Sequence, residues 1–291
     1  MEYSNIEKDL ALISGFINIG VIKAGEEILL IDSGLEEEVP ELMQVLLDKG
    51  LKPVLIINTH AHRDHCGGNN YLQKRYKVDI LASPEERIFI EDPCLEAFCF
   101  YSGARPLPEM KSISPSRVTG LLQPGEEKEI KGIKLSFPDL AGHSPGQIGV
   151  GIGDILFCGD AFFSDYILEK YKLPFLVDLD GFLATLDYLK DSDYRIFVPA
   201  HGKPVTDIER VIDLHLVKFK KIEEDILNLL EEERSTEELL QGLFSLYKIN
   251  ISGPEQYFPL KTTVLAYLSS LSKRKVIRTG LKGNILSWKI T

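Results

Sequence analysis

Cysteine is scarce in this sequence: four residues, at 66, 94, 99 and 158, in a chain of 291. They form no Cys-x-x-Cys pair and no dense framework, which argues against a disulfide-stapled scaffold and suits a reducing, cytoplasmic setting. Long apolar runs are missing as well. No stretch approaches a membrane span, and Met1 to Lys8 lacks the basic start and apolar core of a secretory signal, so no membrane partner is expected. An excess of basic charge is also absent. A net charge of -11 argues against indiscriminate binding of nucleic acid by the whole surface.

Composition otherwise fits a folded globule. With 44% hydrophobic residues in 291, the chain can bury one large core, or a large and a small one. Short apolar runs of strand character recur at Gly20 to Ala24, Glu27 to Gly34, Val54 to Asn58 and Asp79 to Ala82. A second set follows at Ile133 to Phe137, Gly146 to Ile152, Ile155 to Cys158 and Ile196 to Pro199. Between them lie helical stretches, such as Glu36 to Lys49, with Val39, Leu42, Met43, Leu46 and Leu47 on one face and Gly50 as a stop. The fold class is α/β, with two sheets and helices outside them.

Histidine is rare but concentrated. Six occur in the chain, and three fall in the run Thr59-His60-Ala61-His62-Arg63-Asp64-His65, directly after an apolar strand. In an extended segment alternate side chains share a face. His60 and His62 can therefore reach one ion together, while Asp64 and His65 can aim at a second. Cys66, next in line, reads as a small buried hydrophobe, since nitrogen and oxygen ligands already suffice. Three further strand-end loops carry candidates: Gly142-His143-Ser144-Pro145-Gly146, Gly159-Asp160 and Ala200-His201-Gly202.

Taken together, these motifs resemble the metallo-β-lactamase-fold superfamily, in the family's order, over residues from about 10 to 215. The resemblance implies an αββα sandwich with a metal site along one edge, between the sheets. Carried over residue by residue, it implies a first metal on His60, His62 and His143, and a second on Asp64, His65 and His201, with Asp160 bridging. Asp32, in Asp32-Ser33-Gly34, would orient a ligand imidazole. The Gly-His-Ser-Pro-Gly turn is similar to that of the glyoxalase II, lactonase and hydrolase group.

The donor set itself carries the chemistry. Imidazole and carboxylate ligands suit Zn²⁺, with Fe or Mn as alternatives. Two ions per chain would acidify a shared water, and the resulting hydroxide would attack a small ester, thioester or lactone. Asp64 could also move protons. A mononuclear iron persulfide dioxygenase is a further alternative that would leave some of these donors idle.

The tail differs in character. Residues 215 to 291 hold 12 Lys/Arg against 9 Asp/Glu, while the rest holds 21 against 35. Charge changes sign there, so domains at 1–215 and 216–291 are expected. Helices are expected over Lys218 to Glu232, from a Ser235-Thr236-Glu237-Glu238 capping box to about Tyr247, and around Leu260, Val264, Leu268 and Leu271. A hairpin turning at Leu281 to Asn284 follows. Three helices and a wing resemble a winged helix, which a branch of the superfamily carries and which includes enzymes that cleave single-stranded RNA. The expected partners are therefore a small-molecule substrate, with single-stranded RNA as the alternative and a homo-oligomer allowed.

Overall fold

A computed structural model describes residues 1–110 and 113–291. The first sheet comprises β1 (Glu2–Glu7), β2 (Leu10–Ser14), β3 (Asn18–Ala24), β4 (Glu27–Ile31), β5 (Lys52–Ile57), β6 (Asp79–Ala82) and β7 (Gly120–Leu121), paired in that order. Pairing is antiparallel through β4 and parallel from β4 onward. The helices α1 (Val39–Asp48), α2 (Arg63–Cys66), α3 (Asn69–Tyr76), α4 (Pro84–Glu91) and α5 (Cys94–Phe100) lie in the crossovers. The second sheet has the order β12-β11-β10-β9-β8, from β8 (Glu126–Ile130), β9 (Ile133–Phe137), β10 (Val150–Ile152), β11 (Ile155–Gly159) and β12 (Ile196–Pro199). Between its last two strands stand α6 (Asp165–Lys170) and α7 (Leu179–Asp191).

Period-two alternation sorts the strand residues into two cores. On β2, Ala11 and Ile13 face α1 and its Val39, Leu42, Met43 and Leu46, while Leu10 and Leu12 face Leu135, Phe137 and Phe157 of the other sheet. A third core lies outside the second sheet, where Leu156 and Phe197 meet Phe182 and Leu186 of α7. Helix, sheet, sheet, helix is therefore the layer order, as expected. The strands with both faces covered are continuous apolar runs, as in Ile28-Leu29-Leu30-Ile31.

The C-terminal part begins with α8 (Ile208–Leu229), which starts ten residues before the expected Lys218 and is N-capped by the Asp207 side chain. It continues through β13 (Arg234–Ser235), α9 (Thr236–Tyr247) and α10 (Pro254–Lys273) to the hairpin of β14 (Ile277–Lys282) and β15 (Ile285–Ile290). The capping box is formed as read: Ser235 Oγ accepts from Glu238 N, and the Glu238 carboxylate accepts from Ser235 N. The hairpin turn is tighter than expected, with only Gly283 and Asn284 between the strands. Position 215, where the charge balance changes sign, falls inside α8. Phe182 and Leu186 of α7, Phe219 and Ile222 of α8, Leu239 and Leu240 of α9, and Tyr267 and Leu271 of α10 share one continuous apolar core.

Four strands run out at one rim. β4 and β5 are parallel and adjacent, as are β11 and β12, so Asp32, the 58–65 loop, Asp160 and His201 all follow strand ends on the same edge. The Ile148 N to Thr59 O hydrogen bond (3.0 Å) joins the two sheets there, and the Asn18 N to Ala200 O bond (2.8 Å) does the same on the other side.

Candidate metal centre

At this rim three imidazole nitrogens converge. His62 Nδ1 lies 2.9 Å from His60 Nε2 and 3.0 Å from His143 Nε2. His143 is oriented by its other nitrogen, which donates to Phe175 O at 3.0 Å, so its Nε2 presents a lone pair to the cluster. Burial, then the neighbouring imidazoles, hold His60 and His143 well below the ordinary histidine range, and burial holds His62 at about 4. Three neutral donors therefore face one point.

A second group lies alongside. His201 Nε2 is 3.2 Å from Asp64 Oδ2, and His65 Nε2 is 3.9 Å from the same oxygen. Asp160 stands between the groups: Oδ2 is 3.3 Å from His143 Nε2 and 3.8 Å from His201 Nε2, and Oδ1 is 3.8 Å from His65 Nε2. Potential ligand atoms fall into the sets His60, His62, His143; His60, His65, Asp160; and Asp64, His65, His201, each within 4.8 Å. All seven residues singled out in the sequence are thus brought together.

The residues fit a cation. His65 Nε2 and Asp160 Oδ1 are buried and have no hydrogen-bond partner among the described residues, an arrangement that costs about 1–3 kcal/mol per atom unless something is bound. Burial opposes a charged His65, yet the carboxylates of Asp32 and Asp64 raise it to about 10, so this pocket strongly favours positive charge. Burial also opposes ionisation of Asp64, but the surrounding imidazoles hold it well below the usual carboxylate range. Asp160 goes the other way, because burial pushes its carboxyl up.

Asp32 is a positioning residue. Its carboxylate accepts from His65 Nδ1 (2.7 Å), Thr59 N (2.8 Å) and Thr59 Oγ1 (2.8 Å), which leaves His65 Nε2 aimed into the cluster. Its own backbone is left-handed, with φ 63°, where β4 turns into the rim. Cys66 is not among the potential ligand sets; its thiol donates to Ala61 O at 3.0 Å, and burial pushes its pKa up. His215, the sixth histidine, is buried on α8. It accepts from Phe163 N (2.9 Å) and donates to Val211 O (2.8 Å), supporting the segment after Asp160.

Two glutamates escaped the sequence reading. Glu86 on α4 is fully buried; its Oε2 accepts from Ala61 N (2.8 Å), and its Oε1 accepts from Gly146 N (2.8 Å) and from the Ser144 hydroxyl. One carboxylate thus ties together the two loops that supply His60, His62 and His143. Gly146 is required for that approach, since a Cβ there would lie 2.5 Å from Glu85 Cβ. Glu96 on α5 places Oε1 3.4 Å from His62 Nε2, and burial raises it to about 8.

The cluster opens into a cavity of about 330 Å³ lined by Phe16, Asp64, His143, Phe163, Phe175 and His201, among others. A smaller chamber of about 220 Å³ behind His62 is lined by Phe89, Cys99, Phe100, Phe175 and Val177. The aromatic segments 98–101 and 162–166 divide between these spaces, the core and the surface. Cys99, Phe100 and Phe163 border these spaces, Phe162 is buried in the core, Tyr101 packs on Phe258 at 5.1 Å, and Tyr166 is exposed.

Residues 13–201 match the family model described as the metallo-beta-lactamase superfamily. This chain belongs to that superfamily. Among curated members it is similar to a probable metallo-hydrolase, YybB, of Bacillus subtilis (strain 168), at 24% identity over 68% of this chain and 86% of the relative. It is also similar to an atrochrysone carboxyl ACP thioesterase of Pseudocercospora fijiensis (strain CIRAD86), at 25% identity over 78% of this chain and 59% of the relative. The fold matches a crystal structure of a metallo-beta-lactamase family protein from Thermus thermophilus with a TM-score of 0.75, covering 94% of each chain at 21% identity. Superfamily membership and these relatives make the protein a metallo-β-lactamase-fold hydrolase, with His/Asp groups able to bind metal. No helix among the described residues is long and apolar enough to cross a membrane.

Proposed function

We propose that the protein hydrolyses small thioesters, esters or lactones at a site for two divalent cations, zinc first among them. His60, His62 and His143 would hold one ion, Asp64, His65 and His201 the other, with Asp160 spanning both. The observation that carries this reading is the convergence of seven nitrogen and oxygen donors, two with orphaned buried atoms, beside a cavity that Asp64, His143 and His201 line. When bound, the pair supplies Lewis-acid polarisation of a carbonyl and acidifies water near neutral pH.

The chain's own residues do the rest. Asp32 and the Phe175 carbonyl fix the tautomers of His65 and His143, and Glu86 holds the two ligand loops at their spacing. Phe16, Phe163 and Phe175 give the cavity apolar walls beside the reacting carbonyl. Asp64, which lines the same cavity, is the carboxylate within reach of a substrate to accept or return a proton. The thioesterase among the relatives favours a thioester.

The tail is read as a winged helix that covers the active-site rim, in a protein of the cytoplasm. Of its seven basic residues from Lys261 onward, Lys261, Lys273, Arg274 and Lys289 are engaged with Glu237, Asp180, Glu223 and Glu233, which supports packing over RNA guidance. The test is turnover of a thioester, ester and lactone panel by zinc-loaded protein, beside a labelled single-stranded RNA. Thioester or lactone turnover lost with Asp160→Ala supports the proposal; RNA cleavage that fades with salt, without ester turnover, replaces it.

A further inference from the structure

The cavity above the metal centre does not end at α6. Lys170, Tyr171 and Phe175 form a wall shared with a second groove of about 470 Å³, which runs between the 170–175 segment and the C-terminal helices. Among the described residues its lining includes Lys170, Lys172, Lys248, Asn250 and Gln256, and no aspartate or glutamate. In a chain of net charge -11 that is a marked local reversal. None of the three lysines is in an ion pair among the described residues. The nearby Asp225 is already engaged, by the Tyr247 hydroxyl at 2.6 Å and by Lys221. A further cation, Lys218 of α8, lies close enough that burial and Lys172 hold it below the ordinary lysine range.

We propose that this groove binds the phosphate-bearing arm of a thiol carrier, so that the substrate is an acyl thioester of a phosphopantetheine-type carrier. The inference rests on the thioester reading above and adds the leaving group. Geometry supplies the first reason: a group in the groove passes Lys170 and Tyr171 to reach the cavity where Asp64, His143 and His201 stand. Charge supplies the second. Three lysines outside any ion pair suit the concentrated negative charge of phosphates. Size supplies the third: the groove of about 470 Å³, bordered by Gln256, Pro259 and Leu260 of α10, suits a nucleotide-sized group. The small chamber behind His62, walled mainly by apolar groups such as Phe89, Phe100 and Val177 and bordered also by Glu86 and Glu96, then takes the acyl group. Hydrolysis breaks the carbon–sulfur bond, water supplies the oxygen of the carboxylic acid, and the carrier thiol keeps a proton.

The experiment compares one acyl group on three thiols, namely coenzyme A, an acyl carrier protein and N-acetylcysteamine, which lacks phosphate. KM should be lowest for one of the two phosphate-bearing forms, and whichever it is names the source of the arm. In Lys172→Gln/Lys248→Gln, the ratio of the N-acetylcysteamine KM to the phosphate-bearing KM should shrink about tenfold, and coenzyme A binding by calorimetry should weaken by about the same factor. A wild-type ratio near one, a ratio that the double variant leaves unchanged, or displacement of coenzyme A by lower concentrations of single-stranded RNA would overturn the inference. If no thioester is turned over, the hydrolase reading fails, and coenzyme A binding alone decides the groove.

Discussion

Glu86 offers the sharpest test of how the site is held. Replacing it with alanine leaves Ala61 N, Gly146 N and the Ser144 hydroxyl buried without an acceptor. Each orphan costs about 1–3 kcal/mol, but removing the carboxylate also relieves its own burial, which raises its pKa. The net destabilisation of the metal-free protein should be about 3–5 kcal/mol, toward the low end of the sum for three orphaned donors because the buried charge is shed with the side chain. Glu86→Gln keeps the shape but turns an amide donor toward one of these donors, so a loss of about 1–3 kcal/mol is expected. Because the two tethered loops carry His60, His62 and His143, the glutamine variant should bind its first ion about 10–100-fold more weakly. Binding of a second ion at Asp64, His65 and His201 should be little affected. Urea unfolding of metal-free protein and zinc titration against a competing chelator measure the two effects separately. Wild-type midpoints and two tight sites in Glu86→Ala would refute this role.

Three further outcomes follow from the geometry. Asp160→Ala should lose both bound metal and turnover, while the metal-free variant unfolds no earlier than wild type, since it sheds a buried carboxylate with an orphaned oxygen; elemental analysis beside thermal melting checks both. Asp32→Asn should weaken the second ion about 10–100-fold, because an amide cannot accept from His65 and both Thr59 donors; chelator competition reads it. His215, held at about 4 against an ordinary 6.5 by burial, stays neutral in the fold while the unfolded chain takes up a proton between those values. Stability should therefore fall by up to about 3 kcal/mol as pH drops from 6.5 to 4, and His215→Gln should flatten that slope in urea titrations.

Much of this centre was legible because metal ligation uses rare residues at strand ends. Half the histidines stand in one short run, and each remaining ligand candidate follows an apolar strand. Glu86 was not legible: nothing in Pro84-Glu85-Glu86-Arg87 separates the buried glutamate from its solvent-facing neighbour, and only the fold puts it between two loops. Phe175 contributes a backbone carbonyl, which no side-chain pattern reveals. Glu126 to Ile130 is absent from the apolar strand runs because it is mostly charged, yet it is an edge strand, since pairing with β9 overrides its low strand propensity. The early start of α8 was hidden by His215, a polar residue at a buried position of the apolar stripe. The change of charge at 215 reported surface composition, and the core beneath it is continuous.

Elemental analysis of protein purified without added metal, with turnover of a thioester followed on the same sample, tests the central claim most directly. Two divalent ions per chain, with activity that leaves on chelation and returns with zinc, is the predicted result. A single iron per chain, with oxygen consumed when a persulfide is supplied and no thioester turned over, would contradict it.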